Sequence, residues 1–424
     1  MIEETLNFGF SHAESSVIKV LGVGGAGCNA VNHMFNEGIQ GVDFIICNTD
    51  AQALQISPVS IKLQLGVTLT EGRGAGNQPD QGEQAAIENL EDIRTVLEGS
   101  TKMLFITAGM GGGTGTGAAP VIARLARELD ILTIAVVTIP SPSEGRRRFQ
   151  QALDGVIRLK EHVDSMLVIS NEKLQLIYGN LPASQAFKKA DDIIGTAVKG
   201  VAEIITVHGN INIDFADVDT VMAGSEVFIM GTGIAEGEDR AMEAVHQALE
   251  SPLLDSNDIY GTKDILLNII SGDDEITMGE IGDIIEHLQE KAGLDANIIW
   301  GNGIDHKLGN KISVTIIATR FNKNPNSLLQ PKPPVEEFVL ENMKEPDINI
   351  EEDPSGLFPG DLFEPAGVEK QSSDKKPKVQ GTKFNAKKPG KKMPEKEEVS
   401  GNTDSWFLRQ FNRFFDDQDE KIDN

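Results

Sequence analysis

Cysteine is scarce in this sequence, basic residues are outnumbered, and long apolar runs are missing. The two cysteines, Cys28 and Cys47, exclude a disulfide framework. Neither has a further Cys or His at metal-ligand spacing, so both read as buried thiols. Lys and Arg together number 38 against 65 Asp and Glu, a formal net charge of −27. Such a balance repels nucleic acid and acidic membranes. An anionic ligand would have to be held by local dipoles or a metal rather than by overall charge. No apolar run approaches the roughly 20 residues that cross a bilayer, and Met1-Ile2-Glu3-Glu4 lacks the basic flank of a secretion signal. The expectation is a cytosolic protein with no direct membrane insertion. No solenoid-like repeat is present, and 424 residues are enough for two domains with substantial cores.

What the chain does have is glycine in one place. Residues 103–120 read M-L-F-I-T-A-G-M-G-G-G-T-G-T-G-A-A-P. An apolar strand over 103–108 leads into nine residues of which six are glycine, and a helix is expected from Pro120 onward. Glycine costs conformational entropy, so this density points to backbone approaching a ligand too closely for side chains. Helix-initiating N–H groups suit phosphate oxygens without any lysine. The lysine of the G-x-x-x-x-G-K-[ST] pattern is absent, so this is a different motif. The plainer alternative is a flexible surface loop.

A strand over 17–21 runs into a second glycine loop, in which Gly22-x-Gly24-x-x-Gly27 fits the dinucleotide fingerprint and opens a helix. That signal is weak alone, and a nicotinamide-dependent oxidoreductase is the rival reading it supports. Further strands are expected at 42–47, 61–63, 132–138 and 165–169, with a loop over 69–80 and a helix over 81–97. Strands alternating with helices argue for a parallel sheet covered on both faces. In the strand order 3-2-1-4-5-6, strands one and four are neighbours and both glycine loops meet at the reversal point. Two converging phosphate loops suggest a nucleotide polyphosphate.

A long central helix is expected over 186–208, then a smaller domain over 209–321. Its elements are strands at 226–230, 265–270, 297–300 and 312–319, and helices at 240–249 and 278–291. Residues 1–14 read as a mobile tail, and 322–402 as a disordered linker, rich in Pro, Lys, Glu and Gly. In the terminal segment 403–424, Phe407, Phe411, Phe414 and Phe415 share one helical face. That face would dock on a partner or back on its own domain.

Together these segments resemble the FtsZ family, prokaryotic cell-division GTPases of the tubulin superfamily. The resemblance spans about residues 17–321 and is carried by G-G-G-T-G-T-G at 111–117, N-T-D-A-Q-A-L at 48–54 and N-I-D-F-A-D-V at 212–218. It implies an α/β, tubulin/FtsZ-like fold: a parallel-sheet GTP-binding domain over 15–185, the central helix, a smaller α+β domain and a disordered tail. It also implies a head-to-tail homopolymer in the cytoplasm, at the division site on the inner face of the membrane. GTP/GDP and Mg²⁺ are the implied cofactors, the metal held mainly through phosphates and water. A non-catalytic nucleotide-binding scaffold is the alternative within this fold.

The resemblance implies that Gly24, Gly25, Ala26, Gly27, Cys28 and Asn29 form the first nucleotide loop. Gly112, Gly113, Thr114 and Gly115 would wrap the phosphates. Glu144 and Arg148 would lie beside ribose and phosphates, near Thr138, whereas Arg146 and Arg147 read as a solvated helix start. Asn171 and Asp191 would read the guanine edge and Phe187 would stack on the base; without the resemblance Phe187 reads as core. Asp214 and Asp217, supported by Asn212, would polarise water in the site of the next subunit. The same Asp-x-x-Asp spacing also fits a helix cap. Trp406, Phe407, Leu408, Arg409 and Phe411 would engage a membrane adaptor or division proteins. The chain departs from the family pattern at Ser141 and Ser143, where many members carry aromatics, and at Arg320, which replaces a usual glycine. The terminal peptide shares only a short F-L-R core.

Overall fold

The computed structural model describes residues 16–206, 211–250 and 259–322. They lie in one compact unit, Met1–Pro331; the second, Lys332–Asn424, lies outside the described residues, as do the expected tail at 1–14, the linker from 323 and the partner-binding residues Trp406, Phe407, Leu408, Arg409 and Phe411.

The first layer alternates strand and helix: β1 Ile18–Val23, α1 Gly24–Asn36, β2 Asp43–Asn48, α2 Ala51–Ile56, β3 Ile61–Gln64, α3 Val67–Thr70, α4 Pro79–Glu88, α5 Leu90–Leu97, β4 Met103–Gly109, α6 Thr114–Glu128, β5 Leu132–Ile139, α7 Arg146–Lys160 and β6 Ser165–Ser170. All pairs are parallel and the order is β3-β2-β1-β4-β5-β6, as the alternation predicts. Every residue of β1 is buried, because helices cover both faces and no solvent side is left to alternate toward. Edge strand β3 is partly exposed and carries Lys62, which deters further strand pairing.

The first layer departs from expectation chiefly in its helices. The helix expected over 81–97 breaks at Asn89, whose Oδ1 accepts from Gly66 N at 2.9 Å while its amide donates to Asp92 at 2.8 Å. An Asn side chain satisfied this way competes with helical backbone bonds. Helix α6 starts at Thr114 rather than at Pro120, which sits in its second turn. A helix absent from the sequence reading, α8 Asn171–Tyr178, follows β6 directly.

The central helix, α9 Ala183–Thr206, begins three residues earlier than expected. At 24 residues it is about 36 Å long. Its buried stripe includes Ile194, Ala197, Val198 and Val201. Gly195 faces Met34 of α1, whereas at Gly200 a Cβ would lie 2.1 Å from Met230 Cε. α9 therefore packs on the first layer near its middle and on the second layer farther along.

That second layer comprises α10 Phe215–Met222, β7 Phe228–Ala235, α11 Arg240–Leu249, β8 Asp264–Ser271, α12 Met278–Ala292, β9 Asn297–Ile304 and β10 Ile312–Thr319. Its sheet order is β7-β10-β8-β9, with β10 antiparallel to both neighbours and β8 parallel to β9. The layers are also tied by Ser225 Oγ to Ser165 Oγ at 2.8 Å and Lys160 Nζ to Glu226 at 2.7 Å.

Candidate functional site

The site begins where β1 and β4, neighbours at the reversal of strand order, each give way to a glycine turn and a helix. Gly24 has φ +71°, a left-handed conformation that costs glycine nothing. Backbone packs directly on backbone. A Cβ on Gly27 would lie 2.3 Å from Thr107 O, and one on Gly24 would lie 2.9 Å from Gly115 N. The two loops therefore touch, and Thr49 Oγ1 meets Thr114 Oγ1 at 2.7 Å beneath them. A further loop buttresses the second: a Cβ on Gly113 would meet Ala75 Cβ at 2.8 Å and Gln78 N at 2.9 Å. In contrast, a Cβ on Gly25 or Gly112 would meet nothing within 4 Å. Neither α1 nor α6 has a side-chain N-cap bond. Their leading N–H groups, with the positive ends of two helix dipoles, are suited to anionic oxygens.

Of the other first-loop residues, Ala26 and Asn29 are exposed and Cys28 is buried. Burial pushes the Cys28 thiol up to about 12, so it stays neutral, and Cys47 is likewise raised by burial. Gly109 ties this loop to β5, since its Cβ would lie 2.5 Å from Ala26 Cβ and 3.5 Å from Thr138 Oγ1.

Beyond β5, Ser141 caps a short 3-10 turn, Pro142–Glu144. The Glu144 carboxylate accepts from Ser141 N at 2.9 Å and from Asn171 Nδ2 at 3.1 Å. Ser143 Oγ donates to Gln175 Oε1 of α8 at 3.1 Å. Polar bonds thus occupy the place where the family pattern has aromatics. Arg148 joins the second loop: a Cβ on Gly111 would lie 2.6 Å from Arg148 O.

Asp191, on α9, is half-buried and faces the electrostatic field of His33 on α1. Burial raises its carboxyl to about 6, with Asp192 adding to the rise and His33 opposing it. His33 Nε2 meets Asp192 Oδ1 at 2.8 Å, and that bond raises the imidazole above its ordinary value. Phe187 is 59% exposed, so it is not a core residue.

The acidic pair opens α10. Asp214 caps α10 by accepting from Asp217 N at 2.9 Å, and Asp217 accepts from Asp214 N at 3.1 Å. This capping box is real, yet it uses Asp214 Oδ1 and Asp217 Oδ2, one oxygen from each carboxylate. Asp214 and Asn212 are exposed and Asp217 is half-buried. The stretch is pinned to β9 by Ile211 N donating to Asn302 Oδ1 at 3.0 Å and Asn302 N to Ile211 O at 3.0 Å. The structure brings together Gly24, Ala26, Gly27, Thr114, Gly115 and Thr138, and it joins Glu144 to Asn171; the acidic pair is on a separate element.

Sequence reasoning missed Thr49 and Gln78 as supports of the glycine loops. The N-T-D run at 48–50 held a signal for Thr49, a small polar residue between an apolar strand and Asp50, which caps α2. Gln78 had none.

Known proteins share this arrangement in sequence. The Tubulin/FtsZ family GTPase domain matches residues 17–179, and the FtsZ family C-terminal domain matches residues 226–322. A cell division protein FtsZ from Porphyromonas gingivalis is 47% identical over 324 residues, 76% of this chain and 71% of that protein. The chain belongs to the FtsZ family. A second relative, cell division protein FtsZ from Pseudomonas aeruginosa, is 49% identical over 308 residues, 72% of this chain and 78% of its own length. A solved FtsZ dimer from M. jannaschii is 42% identical, with a TM-score of 0.66 over 73% of this chain and 89% of that one. CetZ2 from Haloferax volcanii shares the fold at 19% identity and a TM-score of 0.60, covering 72% of this chain and 94% of its own. Membership of this GTPase family leaves the nicotinamide reading of the first glycine loop without support.

Proposed function

We propose that this chain is a GTP-dependent cell-division polymer that assembles head to tail and hydrolyses GTP to GDP and phosphate at each subunit junction. The observation that carries the proposal is that Asp214 and Asp217 open α10, an element distinct from those that carry the glycine loops, with Asp214 exposed to solvent. Two glycine loops without a lysine bind the triphosphate through backbone N–H groups. Gly25 and Gly112 leave room for it, Glu144 and Arg148 line the ribose side, and Asn171, bonded to Glu144, reads the guanine edge together with Asp191. Asp191 accepts from the ring N–H and exocyclic amine of guanine, while exposed Phe187 stacks on the base. In this reading the carboxylates of that set, Glu144 and Asp191, are given to ribose and base rather than to the attacking water. A neighbour's Asp214 and Asp217 act on that water, each with the oxygen its capping box leaves over. Phosphoryl transfer needs mainly positioning and charge neutralisation, so a site divided between subunits is sufficient.

Mg²⁺ enters with the substrate, offsetting phosphate charge and keeping several waters. Phosphate oxygens and water would be its main donors. A head-to-tail contact that does not close yields open filaments. The segment 403–424 would attach them to a membrane adaptor at the cytoplasmic face of the division site.

Turnover per subunit tests the shared site: it should fall steeply on dilution below the assembly threshold. Constant turnover to the lowest concentrations would contradict it. Asp214→Ala should keep GTP affinity within about twofold while hydrolysis drops by about 100-fold or more. Lost nucleotide binding would show that the acidic pair is misplaced in this reading.

A further inference from the structure

Helix α10 has only eight residues, so its position depends on what holds its two ends. At its start stands the Asp214–Asp217 box. Its other end presents four carbonyls with no partner inside the helix, from Thr220, Val221, Met222 and Ala223. All four are met. Arg320 Nη2 donates to Thr220 O at 2.7 Å and to Ala223 O at 3.3 Å. Thr319 Oγ1 donates to Val221 O at 3.1 Å, and Ser225 N to Met222 O at 3.2 Å. Two of these four acceptors depend on one guanidinium.

That guanidinium is held in turn. Arg320 Nη1 donates to Asp264 Oδ2 at 3.0 Å, and Asp264 Oδ1 accepts from Asn297 Nδ2 at 3.2 Å. Asp264 is 8% exposed at the start of β8, so the pair is anchored in the sheet. A cation at the C-terminal end of α10 also opposes the negative end of its dipole. The backbone carries a cost: Arg320 has φ +54°, a left-handed conformation unfavourable for a residue with a Cβ. The family pattern has glycine there, which adopts that conformation freely. Strain retained at a non-glycine residue calls for a compensating gain, and the gain visible here is the grip on α10.

We propose that Arg320 is a positioning residue for GTP hydrolysis: by clamping the C-terminal carbonyls of α10 to Asp264, it fixes where the helix presents Asp214 and Asp217 to the neighbouring subunit. Eight residues span about 12 Å, and a stiff element of that length carries a displacement at one end to the other. The proposal rests on the acidic pair being catalytic, and its test separates the two ideas.

The informative variant is Arg320→Gly in the full-length protein, because glycine suits φ +54° and removes the clamp without straining the fold. At saturating protein and GTP, kcat per subunit should fall roughly 3- to 10-fold, as expected for a small misplacement of reacting groups. GTP affinity, measured by titration with a fluorescent nucleotide, should stay within twofold, and the thermal midpoint should fall only modestly, because relief of the left-handed strain offsets part of the bonds lost to Asp264 and the two carbonyls. Arg320→Lys, which keeps one cationic donor, should recover part of the loss. An unchanged kcat in Arg320→Gly would overturn the proposal, and so would a fall in kcat matched by an equal fall in GTP affinity. Asp214→Ala is assayed alongside. If it hydrolyses GTP at the parental rate, the catalytic reading of the acidic pair fails. If it is inactive while Arg320→Gly is normal, only the clamp fails.

Discussion

At Gly25 and Gly27, two positions apart on α1, the same added methyl would have opposite effects. On Gly27 it would sit 2.3 Å from a carbonyl of β4, forcing helix and sheet apart. Gly27→Ala should therefore lower stability by about 3 kcal/mol, read from urea denaturation. On Gly25 it meets nothing, so Gly25→Ala should melt as the parent does; weakened GTP binding there would mark the face that cradles phosphate. Asp191 supplies a pH test. Its carboxyl is raised by burial to about 6, so the cost of burying its charge is fully present above that pH and is gone below its ordinary 3.8. Guanine requires the ionised form, which disappears as pH falls through about 6. GTP affinity should weaken by up to about tenfold per unit below that point in a fluorescent-nucleotide titration. Asp191→Asn should remove this dependence and bind weakly throughout, whereas a persisting slope would assign it to another group such as His33. The glycine loops were legible in the sequence because closeness of backbone leaves a direct trace in residue type. The raised carboxyl was not, because it depends on what α9 packs against.

Among the elements, α11 and α12 are joined by one buried cation. Arg240, 4% exposed, donates Nε to Glu280 Oε1 at 2.9 Å and Nη1 to Asp274 Oδ2 at 2.9 Å. Its guanidinium also reaches the carbonyls of Asp274 at 3.0 Å and Glu275 at 3.2 Å. Glu280 closes the capping box of α12 with Thr277. Removing the cation takes a donor from two carboxylates and three carbonyls, those of Asp274, Glu275 and Asn310, so Arg240→Ala should destabilise the protein by about 3 kcal/mol or more in urea denaturation. A change below about 1 kcal/mol would mean water replaces the lost bonds. Helix α11 was read at its true bounds, since apolar spacing and a clean end mark it. The start of α6 was not. Glycine argues against helix by propensity, yet in α6 it is required by packing: a Cβ on Gly117 would lie 1.9 Å from Pro79 O of α4. Helix α8 escaped notice because it is short and its buried residues are Leu174 and Tyr178.

For the whole chain, alternation gave a parallel sheet, and the 3-2-1-4-5-6 order assumed with it, that of the doubly wound dinucleotide fold, is the order observed. The second sheet did not yield to the same reasoning. Its last strand, β10, inserts between β7 and β8, and hydrophobic pattern does not name a strand's partner. Nor does any pattern within one chain say whether a carboxylate pair such as Asp214 and Asp217 acts within its own subunit or on a neighbour. A further consequence lies in the stacked main chain where α1, α6 and the Ala75–Gln78 turn meet. A seat built from peptide planes has almost no rotamers to freeze when it is filled, so occupancy by di- or triphosphate changes its entropy little. Any mechanical difference between two occupants would then have to come from side chains rather than from this main chain, and Phe187 and Arg148, both exposed, have the rotamers to supply it.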